Sequence, residues 1–248
     1  MNLREIRQKF VQLTGRRDLV NEATENGNTY YEDNGSDFFI RAGLRYLDRI
    51  TDLNGQREDI KMYLPSGEFV VPIGRVTHVK EGGDVAGKGF RVVESVRVVR
   101  DNDEAQFLRR ITFQDFKRKR QRSENQQGSV PSVYTLAEPI QAVKDVGKKG
   151  HRELMVWPPA PSDSTVPLGI RGLLTSATLK DDDDRNWWTI NMPETLIQAG
   201  WYTLERFYRN RTGMKDHRRA ILDDIQNFKA DEYQEEAVSS DQMNNSEL

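Results

Sequence analysis

Seven cations fall within fourteen residues at Arg109, Arg110, Lys117, Arg118, Lys119, Arg120 and Arg122, with Asp115 the one acid among them and Phe113 and Phe116 interleaved. Guanidinium and ammonium groups at this density neutralise phosphates, and rings between them stack on bases. The same run suits a solvated loop that meets an acidic protein surface. The sequence favours the protein partner, because the elements around the run match no nucleic-acid module.

Other candidate chemistries lack a required residue. Gly82-Gly83-Asp84-Val85-Ala86-Gly87-Lys88-Gly89 resembles a phosphate-binding loop, but Gly89 stands where Ser or Thr would hold magnesium, and a strand-like run follows instead of a helix. It reads as a hairpin tip. Asp181-Asp182-Asp183-Asp184 has neither the alternating spacing nor the later glutamate of a calcium loop, so it reads as a solvated turn before Trp187-Trp188. His78, His151 and His217 lie in different expected elements, and no Gly-x-Ser-x-Gly elbow nominates a nucleophile. No catalytic residue, metal site or cofactor is expected, and no enzymatic activity.

The elements that would position these residues change character along the chain. Asn2 with Glu5 forms a capping-box pattern, Leu3, Ile6, Phe10 and Leu13 recur at helical spacing, and Gly15 stands at a C-terminal cap. Polar residues 21–34 read as an exposed loop. A second helix is expected from Ser36 or Asp37 through Phe39, Gly43, Tyr46 and Ile50, where Gly43 would let a neighbouring helix approach. Between about 60 and 180 the period becomes that of strands, at Glu68–Val71, Arg75–Val79, Arg91–Val99 and Glu153–Trp157. Eight of the nine prolines lie between Pro65 and Pro167, which suits edge strands and turns. Helix returns with Asn191 as cap and Pro193 in the first turn, runs to about Gly213, and resumes through Ile221, Leu222, Ile225 and Phe228. From Asp231 the chain is polar and acidic, and is expected to be a flexible tail.

These readings predict an α+β protein. An antiparallel helix bundle is built from the N- and C-terminal segments, residues 1–56 and 187–230, an antiparallel β-rich domain of residues 57–186 is inserted, and 231–248 form the tail. With 248 residues the chain has room for two small domains. Zero cysteines exclude disulfides and thiolate chemistry, a net charge of -2 excludes a chain that is polyelectrolyte throughout, and no apolar run approaches the ~18 residues of a membrane span. Charges within Met1–Phe10 argue against a secretory signal.

Several stretches together resemble the head-to-tail adaptor, or head-completion, proteins of short-tailed and related tailed bacteriophages. They are Leu3-Arg4-Glu5-Ile6-Arg7 through Thr14-Gly15-Arg16-Arg17-Asp18-Leu19-Val20, Asp33-Asn34-Gly35 leading to Phe39 through Arg49, and Trp188 through Gly200. Pro131-Ser132-Val133-Tyr134 and Leu154-Met155-Val156-Trp157-Pro158-Pro159 add to them in order. The chain departs from the pattern in its basic run and in Gly82–Gly89.

The resemblance implies a structural role. Copies of the chain, twelve in such rings, would assemble beneath the portal protein, extend the channel through which packaged DNA passes, and form the platform for the tail or nozzle protein. The location implied is the neck of the virion, and the host cytoplasm during assembly, with no membrane partner. The helical part with its C-terminal extension would grip the portal, which makes Ile221, Leu222, Ile225, Phe228, Tyr233 and Val238 the expected portal contacts. A nucleic-acid-binding module using residues 109–122 is the alternative.

Overall fold

The computed structural model describes residues 1–25, 28–73, 88–99, 105–122, 130–137 and 152–245, with the side chains of 25, 28 and 235–245 outside the description. The protein is α+β. Its elements run α1 (Leu3–Thr14), β1 (Val20–Glu25), β2 (Asn28–Asp33), α2 (Ser36–Ile50), β3 (Arg57–Leu64), β4 (Val70–Pro72), β5 (Phe90–Val98), β6 (Gln106–Phe107) and β7 (Arg109–Arg110). They continue with α3 (Phe113–Arg122), β8 (Val133–Ala137), β9 (Glu153–Trp157), β10 (Val166–Leu174), α4 (Trp187–Asn191), α5 (Pro193–Phe207) and α6 (Arg211–Asn245). The chain divides into two compact units, Met1–Gln56 with Ser176–Leu248, and Arg57–Thr175.

The first unit begins with a capped helix. The Asn2 side chain accepts from the Glu5 amide while the Glu5 carboxylate accepts from the Asn2 amide, and Gly15 ends α1 in the left-handed region at φ 69°. Leu3, Ile6, Phe10 and Val11 are buried, whereas Leu13, expected on the same face, is exposed in the last turn because Val11 takes the inward position. The described residues 21–25 and 28–33, expected in a loop, are strands. Strands β1 and β2 pair antiparallel from Val20↔Asp33 to Glu25↔Asn28, and a ribbon that buries little besides Val20 and part of Tyr31 lacks the alternation by which a strand is read.

Helix α5 packs against α2, α6 and α1. At the α2–α5 crossing a Cβ added to Gly43 would stand 2.5 Å from the Gly200 amide nitrogen and 2.6 Å from the Ala199 carbonyl carbon, so the two backbones touch. Asn191 does not cap α5. Asn186 forms a reciprocal box with Thr189 and opens α4, which Asn191 ends. Gly213 lies inside α6: the break falls at Tyr208–Asn210, where Arg209 adopts φ 59° and the Asn210 side chain accepts from the Gly213 amide. The segment from Asp231, expected as a flexible tail, continues α6 to Asn245. Its Glu, Gln, Ala and Met residues are good helix formers, and Lys229–Asp52 and the Glu232 acceptance from the Asn54 amide tie the helix down.

Most of the unit converges on Arg7, which is 3% exposed. Its guanidinium donates to both oxygens of buried Asp37 (2.8 and 3.0 Å), to Asp182 Oδ1 (2.8 Å) and to the Tyr31 carbonyl (2.9 Å). Arg41 adds a bond to Asp37 and another to the Leu179 carbonyl. The Asp181–Asp184 run is the expected turn, closed by the bond from the Asp184 amide to the Asp181 carbonyl, with Asp181 and Asp183 exposed, but it is also tied to α1. Asp182 also binds Arg4, its carbonyl accepts from the Arg4 amide, the Asp184 carbonyl accepts from the Leu3 amide, and the Asp184 carboxylate accepts from the amides of Lys180 and Asp181. Asp48 secures the same segment by accepting from Ser176 and from Trp188 Nε1. These bonds place 176–186 with the helices, so the second crossing of the chain falls at 175/176 rather than at 186/187.

The second unit holds two four-stranded sheets, ordered β3-β10-β5-β6 and β4-β9-β8-β7. One buried cluster draws on both, with Ile60, Met62 and Leu64 of β3, Leu168 and Ile170 of β10, and Leu154 and Val156 of β9. The expected all-antiparallel module is corrected in two respects: β7 and β8 pair parallel, and α3 sits within it. A two-residue strand such as β7 is too short to carry a period. The expected strand at 75–79 lies outside the described residues.

Two substitutions test these junctions. Asp37→Asn removes the buried one of the two carboxylates that meet Arg7 and leaves it the partly exposed Asp182, and urea denaturation should show a loss of about 3 kcal/mol. Gly43→Ala drives a methyl into the α5 backbone and should cost at least about 1–3 kcal/mol by the same measurement.

Candidate functional site

The basic run is a short strand followed by a helix, not a loop. Arg109 and Arg110 form β7, held by the bond from the Arg109 amide to the Ser132 carbonyl and from the Ile111 amide to the Tyr134 carbonyl. Thr112 then caps α3: its hydroxyl accepts from the Asp115 amide and donates to the Asp115 carboxylate. Phe116 points inward, 1% exposed, edge-on to Trp157 with ring centroids 6.4 Å apart, in a small core with Val133. That anchor fixes which faces of α3 meet solvent.

Lys117 Nζ lies 4.7 Å over the Phe113 ring, and the Arg120 guanidinium 4.5 Å over Phe69. Arg118 approaches Asp115 at 3.6 Å. Lys119, Arg120 and Arg122 sit in the last turn, where the helix dipole favours positive charge. Three concavities border the helix. One of about 630 Å³ is lined by Phe69, Lys117, Arg120, Gln121 and Trp157, one of about 710 Å³ by Arg109, Arg110 and Phe113, and one of about 380 Å³ by Arg118, Lys119 and Arg122. The structure thus brings all seven cations around one helix and its leading strand.

The expected portal contacts do not form one surface. Ile221 and Ile225 are buried in the core of the first unit, because α6 turns that face toward its own helices. Phe228 packs edge-on against Trp187 at 5.4 Å. Leu222 and Tyr233 are exposed, and the side chain of Val238 lies outside the described residues. Of the glycine-rich segment, 82–87 lie outside the described residues. Lys88, which would reach a phosphate, pairs with Glu58 at 3.2 Å, and the Gly89 amide donates to Thr175.

A group that the sequence reading missed lies at the corner between α5 and α6. Phe38 (59% exposed), Phe39, Phe207 (65%) and Tyr208 (49%) form a chain of edge-to-face contacts at 5.2–5.7 Å. Arg16 lies 4.5 Å over the Tyr208 ring and pairs with Asp18, while Arg206, Arg209 and Arg211 are exposed around it. Adjacent residues on a helix diverge by about 100°, so Phe39 turns inward while Phe38 stays outside, and Phe207 and Tyr208 at the end of α5 both remain exposed.

Of the histidines, His78 and His151 lie outside the described residues. The His217 ring lies tilted over Trp201 at 4.4 Å, with its Nδ1 in hydrogen-bond contact with Gln198 Oε1 at 2.6 Å. Among the described residues no cluster of three or more His, Asp or Glu is placed to hold a metal ion, and no helix is long and apolar enough to cross a membrane. Comparison with known protein families and with characterised proteins finds no match for this chain.

Burial holds the His217 imidazole below its ordinary value, against the pull of Glu205 and Asp216. Folding therefore favours the neutral ring. Its contribution is complete above the unfolded value of about 6.5 and is lost as pH falls below it toward the depressed folded value. Asp182 and Asp184 act lower. Burial raises Asp182, but bonds from Arg7 and Arg4 outweigh it, and backbone amides lower Asp184, so both lose their contribution as pH falls below about 4. Thermal melts should show a decline from pH 7 to pH 5 that is smaller in His217→Gln, and a second decline below pH 4 in both proteins.

Proposed function

We propose that this protein is a structural component of a tailed-bacteriophage virion. It forms a ring between the portal and the tail or nozzle, extends the DNA channel and completes the head for tail attachment. In this reading the first unit is an antiparallel helix bundle built from the N- and C-terminal segments. The β-rich unit is inserted in it and faces the tail. The protein is not an enzyme and takes no cofactor. Its partners are the portal protein, the tail or nozzle protein and eleven further copies of itself, with packaged DNA in the lumen. It resides in the virion neck, and in the host cytoplasm during assembly.

The observation that carries the reading is the exposed corner of Phe38, Phe207 and Tyr208 with its rim of arginines. Aromatic rings and arginine are the residues from which durable protein interfaces draw most of their energy, and an exposed cluster of them marks an assembly surface. A closed ring needs two unlike patches on each copy, and the corner supplies one of them to the neighbouring copy. The distal part of α6, with Leu222, Tyr233 and the acids from Asp231, is left to the portal. Leu222 lies about 17 Å and Asp231 about 30 Å along the helix from Arg211 at the corner, at a rise of about 1.5 Å per residue. Residues 109–122 support the second reading, contact with nucleic acid, because their seven cations are gathered around α3.

Electron microscopy of portals mixed with the full chain tests the reading. The wild-type protein should decorate portals with closed rings. Phe38→Ser with Phe207→Ser should reduce decorated portals at least tenfold while shifting stability by no more than about 0.5 kcal/mol, as expected for exposed sites. Undiminished rings from that variant would remove the corner from the interface, and portals left bare by the wild-type chain would defeat the ring itself.

A further inference from the structure

The charged groups that α3 offers to solvent are five cations against Asp115 alone, with Gln114 and Gln121 between them. Phe116 is spent inward, and Phe113 and Phe69 are covered by Lys117 and Arg120. Of the five cations on the helix, Arg118 alone has a carboxylate partner among the described residues, and that pair is exposed. The helix is not free to tilt, since Phe116 against Trp157 and the Thr112 cap hold it on its sheet.

These facts separate two classes of partner. Durable protein interfaces centre on desolvated apolar anchors and are poor in lysine at that centre. Helix α3 has no such centre to give. A phosphodiester backbone asks for the opposite: cations spread along a line, no apolar patch and no group that reads bases. Ten helical residues span about 15 Å, a length over which duplex DNA carries about nine charges at one per ~1.7 Å. Arg109 and Arg110 extend the same run from the strand that leads into the helix.

We propose that α3, with Arg109 and Arg110 beside it, is a sequence-independent docking surface for the phosphate backbone of duplex DNA. This deepens the preceding reading by naming the face that meets DNA, and it rests on that reading for its setting alone. DNA takes the place of the acidic protein partner favoured from the sequence, because the rings that would have anchored such a partner are buried or covered.

Fluorescence anisotropy of the full chain with a labelled duplex of about 20 base pairs tests the proposal between about 50 and 200 mM salt. With about five phosphates neutralised, the logarithmic salt slope should be near −4.5 and binding should weaken by roughly several hundred-fold, equally for two unrelated sequences. Lys117→Gln with Lys119→Gln and Arg122→Gln should reduce the magnitude of the slope by about 2.7, and Arg122→Gln alone, at the helix end, by about 0.9. Arg206→Gln with Arg209→Gln and Arg211→Gln, in the other unit, should leave it unchanged. Absence of duplex binding at the lower salt, or an equal loss in both triple variants, overturns the proposal. So does a polyglutamate peptide that binds more tightly than the duplex, which would make the partner an acidic protein. Ring formation is scored apart. A chain that forms rings on portals and ignores the duplex defeats this inference alone, and one that binds the duplex through α3 but never forms rings defeats only the ring.

Discussion

The buried ion pair between Arg7 and Asp37 is the constraint around which the first unit is organised. A guanidinium at 3% exposure is tolerable only if its donors are met, and here Asp37, Asp182 and the Tyr31 carbonyl meet them from three different segments. Each of those segments is then committed. Helix α2 must present Asp37 in its first turn, β2 must bring a carbonyl to the same point, and the chain after β10 must return with Asp182. The pull of the carboxylates outweighs the cost of burial, so Arg7 stays charged more firmly than an exposed arginine. Apolar packing alone would allow α1 to slide or rotate. A bidentate pair with fixed geometry does not.

How much of this was legible in the sequence depended on how local the signal was. The cap at Asn2–Glu5, the stop at Gly15 and the close approach at Gly43 each rest on a few neighbouring residues, and the structure carries all three. The Asp181–Asp184 run was legible as a turn, but its ties to Leu3, Arg4 and Arg7 were not, because those partners are more than two thirds of the chain away. Asn191 and Gly213 failed as caps. Both are good cap residues, but Asn186 with Thr189 and Asn210 after Arg209 do the capping, and spacing alone does not choose among such neighbours.

The candidate surfaces show the same division. Counting cations located the basic run, yet its chemistry depended on where Phe113 and Phe116 went, and that needed the strand β8 and Trp157 beneath the helix. Apolar periodicity nominated Ile221 and Ile225 as contacts, although periodicity marks a buried face whether a partner or the same chain buries it. The aromatic corner carries no period, because Phe38 and Phe207 are the residues that break it.

The position of the insertion bears on how such a non-local unit forms at all. The second unit occupies residues 57–175, a stretch of 119 residues that separates α1 and α2 from α4, α5, α6 and Asp182. Closing a flexible excursion of that length costs about 4 kcal/mol in chain entropy. In the folded second unit, however, Arg57 lies opposite Leu173 in the β3–β10 ladder, so its first and last residues emerge side by side. Once those sheets have formed, the helices on either side are joined by what is in effect a hairpin. The closure entropy has then already been met by β-sheet hydrogen bonds and by the core of Ile60, Met62, Leu168 and Ile170. The Asp48–Ser176 bonds lie immediately beyond that hairpin, and the Arg7–Asp182 contact follows six residues later. If the sheets form first, the long-range contacts of the first unit close from the insertion outward, beginning with Asp48–Ser176 and reaching Arg7–Asp182 last.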